Sequence, residues 1–516
     1  MSTSASAHAV RAALLNHDFT ADGVLNEIGA EAFAALGRGE RVPALHVLAE
    51  RDDTALIALI RLFLLGEPLP PEAVRRCLPW SHAHGLGLVE EVEQSSGGVL
   101  VRPVIQVHPY PCDGRDCFVV SDFPLASAAG RGRRAGGDHV VGVGGASVTL
   151  ATLTPRVVAA RALDLGTGCG VQALNLAGHC RSVVATDRNL RALEMASISA
   201  ALSGIELDLR HGSLYEPVAD DDFDLIVANP PFVISPHARF TYRETTLAAD
   251  DLTRDVIVGA AQRLAPGGTA VILGNWLHTE QEEWTARLRR WTADVECSVW
   301  GVQRESQTLA EYVELWLRDS DDHNDPGYER LYSEWLTALL GWGARRVGFG
   351  WVVLAKPAMP GESAAPAGSL AGEAPPSRWF LAEDLSEAER LPTGAEVVEQ
   401  LAALQRWHDG DASSLLAGRA HWTGRAILHT AASASTGQPI AGAVVEAVDG
   451  WRPPVEVDQR VAAVLNDSGT LLDRIQRLQG ADGEGEEEGR LDVVATVLIG
   501  VRDLIAAGLV DWQPSL

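Results

Sequence analysis

The chain has 516 residues, too many for one ordinary core and enough for two to four domains. An apolar fraction of 46% excludes a disordered chain, and no run of about 18 apolar residues marks a membrane span. The formal charge of −27 divides as −5 over residues 1–138, −9 over 139–357 and −13 over the remainder, so no large segment offers the basic face that tracks phosphates. The first residues lack the basic-then-apolar pattern of a secretion signal, and the cysteines at 77, 112, 117, 169, 180 and 297 are scattered. A cytoplasmic protein with reduced thiols is expected.

Residues 8–78 read as helices. Asp53-Thr54 caps the apolar run Ala55–Leu65, the stretch from Gly66 to Pro70 breaks it, and Pro71–Leu78 restarts a short helix. Two strand-like runs follow, Leu86–Val92 and Val99–Val107, separated by Ser95-Ser96-Gly97-Gly98. Helix, turn, helix and hairpin make residues 1–125 a helical, winged-helix-like unit. Such units bind nucleic acid, dimerise or gate substrates, and the second helix here offers only Arg75 and Arg76 as cations. Residues 126–138, rich in Gly, Ala and Arg, form a loop.

From Arg161 strands and helices alternate. Strands are expected at 162–166, 182–187, 205–210, 224–229, 269–275, 294–300 and 346–355, and helices at 171–178, 189–202, 251–264 and 280–292. This pattern gives residues 139–357 an α/β fold, a doubly wound, Rossmann-like, mostly parallel sheet with helices on both faces. An insertion at 303–343 carries two amphipathic patterns, Leu309–Leu317 and Tyr328–Leu340, around an acidic turn. Residues 358–377 read as a Pro/Ala/Gly/Ser linker, and 378–516 as an α+β accessory domain with helices at Asp458–Leu465, Leu471–Leu478 and Leu491–Ala507 and a closing strand signal at 508–512.

Two stretches carry chemistry. Asp164-Leu-Gly-Thr-Gly-Cys-Gly170 has the form of a strand entering a glycine-rich turn that opens a helix, where backbone N–H groups can approach a ligand. Asp187 ends the next strand, placed to accept hydrogen bonds from ribose hydroxyls. Asn229-Pro-Pro-Phe232 must stop the fourth strand, because two prolines cannot continue a ladder. An amide and a ring are thereby left at the carboxyl ends of the strands, where open α/β sheets bind ligands. Glycine spacing alone also suits a dinucleotide; Asn-Pro-Pro-Phe is the discriminator. His237, Arg239, Tyr242 and Arg243 follow as candidate substrate contacts, and Val143-Gly144-Gly145-Ala146-Ser147 as either a covering loop or an ordinary turn. Cys112 and Cys117 lack a second ligand pair and His82-Ala83-His84 has no nearby carboxylates, so no metal site is expected. Cys169 has no apparent histidine partner and is not read as a nucleophile.

On these motifs residues 139–357 resemble the class I S-adenosylmethionine-dependent methyltransferases, in the amino-methylating branch marked by Asn/Asp-Pro-Pro-Phe/Tyr. That branch includes HemK-type release-factor glutamine methyltransferases, adenine-N6 methyltransferases and RsmC-type guanine-N2 rRNA methyltransferases. The resemblance implies S-adenosyl-L-methionine held by Asp164, Gly166, Thr167, Gly168, Gly170, Asp187, Arg188, Ser213 and Asn229. Ser213 stands where many relatives have Asp. It implies Asn229, Pro230 and Phe232 as the catalytic set, with the Asn229 oxygen and the Pro230 carbonyl accepting the two N–H bonds of a planar amino group and Phe232 stacking on it. The expected activity is N-methylation of a planar amino or amide nitrogen, with protein glutamine slightly favoured. A base amino group in RNA or DNA is the alternative, and a non-catalytic cofactor-binding module the reading of another class. The partner is then a protein or nucleic-acid substrate and no membrane.

Overall fold

The computed structural model describes residues 3–94, 97–124, 138–236, 249–319, 327–358, 377–409, 412–432, 439–448, 451–452, 454–481 and 487–513. Its first part is helical, as the apolar periodicity requires. Thr20 and Thr54 cap the helices Ala21–Gly37 and Ala55–Leu59 by accepting from the Gly23 and Ile57 amides, and the second continues as a π-turn, Ile60–Leu64. The expected helices at 55–65 and 71–78 form as Ala55–Leu59 with Ile60–Leu64 and as Pro71–Cys77, but an unexpected short helix, Trp80–Gly85, stands between the latter and the antiparallel pair Val89–Gln94/Gly98–Pro103. Arg75 and Arg76 face carboxylates, Arg75 lying 2.9 Å from Glu72 and 3.7 Å from Glu91, and Arg76 3.1 Å from Asp53.

A second hairpin, Gln106–Cys112/Arg115–Ser121, follows; the expected run Val99–Val107 is split between the two hairpins, and no pairing is expected for residues 108–121. Pro109 and Pro111 argue against a strand. They are tolerated because the sheet has two strands only, and residues of the same parity turn their missing N–H to the unpaired edge. This hairpin lies along the helix Leu190–Ser203, whose Ser203 and Ser199 hydroxyls accept the Phe118 and Val120 amides at 2.9 and 2.8 Å. One apolar cluster runs from Val10 and Leu14 through Phe63 and Phe118 to Met195 and Leu202. The first 124 residues therefore share a core with the α/β unit.

In that unit the strands are β1 (Ala159–Leu165), β2 (Cys180–Asp187), β3 (Asp208–His211), β4 (Phe223–Ala228), β5 (Leu264–Thr279), β6 (Ser298–Thr308), β7 (Ala344–Ala355) and β8 (Phe380–Asp384). The helices are α1 (Gly145–Leu153), α2 (Val171–Leu176), α3 (Leu190–Ser203), α4 (Asp251–Arg263), α5 (Trp284–Trp291), α6 (Leu309–Asp319) and α7 (Tyr328–Gly341). Among the described residues the eight strands form one sheet in the order β8-β6-β7-β5-β4-β1-β2-β3, and β7 alone runs antiparallel to its neighbours. One face packs on α4 and α5, the other on α1 and α2. Trp276, Trp284, Trp291, Trp300, Trp335 and Trp351 are all buried, so these rings pack the sheet and its helices.

The insertion forms α6 and α7, as its periodicity predicts. β8 corrects the expected boundary at 357. Residues 380–384 add to the edge of β6 in parallel, from Val299↔Phe380 to Gln303↔Asp384. The strand was hidden because it is five residues long and follows a stretch without periodicity. Beyond it, helices Gln459–Leu465, Leu471–Ala481 and Glu487–Ala506 and strand Val510–Gln513 match the sequence pattern. Among the described residues no helix is long and apolar enough to cross a membrane.

Glu383 on β8 ties the last part of the chain to the sheet. It accepts the Trp300 indole N–H at 2.6 Å and pairs with the buried Arg452 guanidinium, which lies over the Trp451 ring at 4.4 Å. Glu383→Ala leaves that cation buried without its counter-charge. A loss of about 3–5 kcal/mol is expected, read as a lowered unfolding midpoint in denaturant.

Candidate functional site

The site is built where the strand order reverses. β1 is buried from Ala162 to its last residue, Leu165, and then enters the glycine turn. The Gly166 and Thr167 amides both donate to the Thr186 carbonyl at 2.9 Å, which folds the turn back over the end of β2. Gly166, Gly168 and Gly170 have φ of +74°, +55° and +91°, a region costly for any residue with a Cβ. Their surroundings differ. A Cβ on Gly170 would stand 3.3 Å from Ala196 of α3, so this glycine allows helix packing. A Cβ on Gly166 or Gly168 would meet nothing within 4 Å, so these two face open space that a ligand can fill.

Asp164 and Thr167, expected at the cofactor, lie on the inner side of this turn. Asp164 is 1% exposed, and its Oδ2 accepts the Thr167 hydroxyl at 2.6 Å and the Ala173 amide at 3.0 Å. The pair braces the turn against the first residues of α2; the open side belongs to the glycines. Burial pushes the Asp164 carboxyl up to about 7, against the two hydrogen bonds that lower it. Cys169 is buried beside it, with a thiol raised to about 12 by desolvation, which suits a packing role.

Asp187 closes the other side. Its Oδ2 accepts the Gly168 amide at 2.9 Å and its Oδ1 the Asn189 amide at 2.8 Å, which leaves each oxygen a further lone pair. The group is half-buried, and desolvation raises its pKa. Next to it the Arg188 side chain is exposed, and the Arg188 carbonyl contacts the His211 ring at 3.1 Å. The Gly212 amide donates to the Asp187 carbonyl at 3.1 Å, and this brings the exposed Ser213 to the same rim, followed by Leu214 in the left-handed region at φ +48°. Val143–Ser147 is neither a free loop nor a simple turn. Gly144 caps α1, and Gln172 holds the Ser147 carbonyl at 2.7 Å.

The Asn-Pro-Pro-Phe loop leaves β4 beside the glycine turn. Ala228 pairs with Leu165 of β1 and Ile272 of β5, so Asn229 exits at the level of Gly166. Its side chain is half-buried and has no hydrogen-bond partner among the described residues. The Pro230 carbonyl accepts the Phe232 amide at 2.7 Å, a three-residue turn centred on Pro231 that uses one of that oxygen's two lone pairs. Phe232 is half-buried at the margin of the core under α1 and α2. Val233 and Ile234 enter a different cluster, that of α6 and α7. His237, Arg239, Tyr242 and Arg243 lie outside the described residues.

Sequence reasoning missed two residues that anchor this part of the fold. Tyr312 of α6 accepts the Ile234 amide on its hydroxyl at 2.7 Å. Asp250, before α4, accepts the Leu277 amide at 2.8 Å and pairs with Arg287 at 2.9 Å. Both read as ordinary helix or loop positions, and nothing in their spacing marks them.

These residues fit the cofactor that the resemblance implies. Gly166 and Gly168 would let its methionine end approach the backbone, Asp187 would accept the ribose hydroxyls on its spare lone pairs, and Asn229 stands next to the same opening.

Residues 143–292 match the methyltransferase small domain, and residues 16–101 match a domain of unknown function (DUF7059). The chain is 32% identical over 215 residues to the release factor glutamine methyltransferase of Xylella fastidiosa (strain Temecula1), covering 33% of this chain and 78% of that protein. It is 34% identical over 125 residues to the ribosomal protein uL3 glutamine methyltransferase of Neisseria meningitidis serogroup A, covering 22% and 41%. The T. thermophilus 16S rRNA N2 methyltransferase (RsmC) in complex with AdoMet and guanosine aligns over 59% of this chain and 70% of that one at 18% identity, with a TM-score of 0.28, too low to argue from.

Two outcomes follow. Asp187→Ala removes charge-assisted contacts of about 1.5–3 kcal/mol, so the dissociation constant for S-adenosylhomocysteine, measured by calorimetry, should rise by roughly ten- to a hundredfold with the fold kept. Asp164, with a folded-state pKa of about 7 against about 3.9 unfolded, keeps a proton that the unfolded chain releases. Its stabilisation is complete below about pH 4 and is lost as pH rises through about 7. Denaturant midpoints at pH 5 and pH 8 should therefore differ less in Asp164→Asn than in the unaltered protein.

Proposed function

We propose that this chain, which belongs to the class I S-adenosylmethionine-dependent methyltransferases of the HemK type, transfers a methyl group to the side-chain amide nitrogen of a protein glutamine. The observation that carries this is the unpartnered Asn229 amide standing beside the open face of the glycine turn. Two points favour a protein over a nucleic acid. The relatives named above with 32% and 34% identity are glutamine methyltransferases by name. Arg75 and Arg76, the only cations of the helix Pro71–Cys77, are paired with carboxylates in a chain whose three segments are each net acidic.

S-adenosylmethionine, when bound, supplies an electrophilic methyl on a sulfonium. The chain's residues deal with the acceptor. An amide nitrogen is a poor nucleophile because its lone pair is delocalised into the carbonyl. The Asn229 side-chain oxygen accepts one N–H and the free lone pair of the Pro230 carbonyl accepts the other, which draws the nitrogen toward tetrahedral geometry. Both bonds strengthen as the N–H bonds become more acidic, so they lower the barrier instead of only tightening binding. Phe232 stacks on the flat amide and limits its approach to one direction. Residues 229–236 contain no titratable side chain. None is needed before attack, because the methylated nitrogen is acidic and gives its extra proton to water.

Asn229→Ala should lower kcat by about 10²–10³-fold and leave the dissociation constant for S-adenosylhomocysteine within about twofold. Asn229→Asp should be milder, since a carboxylate still accepts. The substrate class is read by transferring radiolabelled methyl into a cell lysate and digesting the product. Label released by protease and stable to nuclease is expected, and label released by nuclease would replace glutamine with a base amino group.

A further inference from the structure

We propose that Tyr312, on the helical insertion, is a positioning residue for methyl transfer, acting through the loop that carries Asn229. The inference rests on Asn229 as the group that accepts the substrate N–H. Five residues, 229–233, separate the end of β4 from Ile234, and the ends of this span are fixed differently. The first end is held by the sheet, where Ala228 pairs on both sides. At the second, Val233 and Ile234 pack into the α6/α7 cluster and the Ile234 amide donates to the Tyr312 hydroxyl at 2.7 Å. Between them Pro230 and Pro231 stiffen the path, and the Pro230–Phe232 hydrogen bond sets its turn. With both ends fixed, the direction of Asn229 is set; without the Tyr312 hydrogen bond, the backbone at Ile234 loses its polar anchor and that direction is held less tightly.

The hydroxyl is itself a fixed point. Tyr312 is fully buried, and its ring is surrounded by Phe349, Trp316 and Trp335 at centroid distances of 5.7, 6.1 and 6.4 Å. Asn275, buried on β5 three residues beyond the partner of Ala228, approaches the same oxygen with its Nδ2 at 3.5 Å. The hydroxyl thus gathers β5, the motif loop and the insertion at one oxygen. Ile234 is 2% exposed, so its amide has no water to turn to if the hydroxyl is removed.

Tyr312→Phe keeps the ring and deletes the acceptor. The rate of methyl incorporation at saturating acceptor and cofactor should fall by tenfold or more, in line with the ~10²-fold cost of a misplacement of about 1 Å. The S-adenosylhomocysteine dissociation constant should stay within about twofold, and hydrogen exchange at the Ile234 amide should accelerate. A residue that merely supports the fold would lower cofactor affinity and rate together, and that result overturns the proposal. So does a rate kept within about twofold while the Ile234 amide loses protection. If Tyr312→Phe is insoluble, Trp335→Leu, which lets the Tyr312 ring shift, must give the same split between rate and cofactor affinity; an unchanged rate there also overturns the proposal. Total incorporation is compared for whichever acceptor is labelled, so a nuclease-sensitive product would end the glutamine reading and leave the Tyr312 comparison intact.

Discussion

Backbone hydrogen bonding between β1 and β4 sets Leu165 opposite Ala228, and the chemistry of the site depends on that register. The two strands are distant in sequence and adjacent in the sheet because the strand order reverses between them. One residue beyond the paired positions, one strand enters the glycine turn and the other reaches Asn229. A slip of one residue would turn every side chain of β4 to the opposite face. It would remove Phe223, Leu225, Ile226 and Val227 from cores on both sides of the sheet, so the packing that stabilises the domain also fixes the separation of the glycine turn and the Asn-Pro-Pro-Phe loop.

The side chains that stiffen the site point away from its opening. Asp164 and Thr167 brace the turn from within, Ser199 and Ser203 bind α3 to the second N-terminal hairpin, and Tyr312 holds the motif loop from the insertion. The open surface is left to the backbone of Gly166 and Gly168, which no Cβ covers, and its free polar groups are two spare lone pairs on Asp187 and the Asn229 amide. The side chains proposed to meet a ligand thus keep free hydrogen-bonding capacity, and those that hold the turn and loop in place are engaged with the protein.

Much of this was legible in the sequence, for identifiable reasons. Glycines 166, 168 and 170 occupy positive φ, which few other residues accept, so their identity records their geometry. Asn-Pro-Pro-Phe is legible because prolines must end a strand. Other features leave no such mark. From sequence alone Asp164 and Thr167 sit next to the glycines, and only the fold shows that they face inward. Tyr312 looks like any apolar-face residue of an amphipathic helix, since period reports burial and says nothing of a hydroxyl that meets a backbone amide 78 residues away in sequence. The hairpin with Pro109 and Pro111 violates a strand rule that holds for interior strands and is relaxed in a two-stranded pair.

The placement of β8 has a consequence for synthesis. A chain emerging from the ribosome can complete β1 to β7, with β6 left as the sheet margin, before residues 380–384 appear. During that interval Val299, Trp300 and Val302 lie on a strand whose outer hydrogen-bonding groups are unmet, a template on which a second nascent chain could pair. The stretch 358–377 sets how long that interval lasts. Lengthening it would prolong exposure of the margin, which a spacer between independently finished domains would not do.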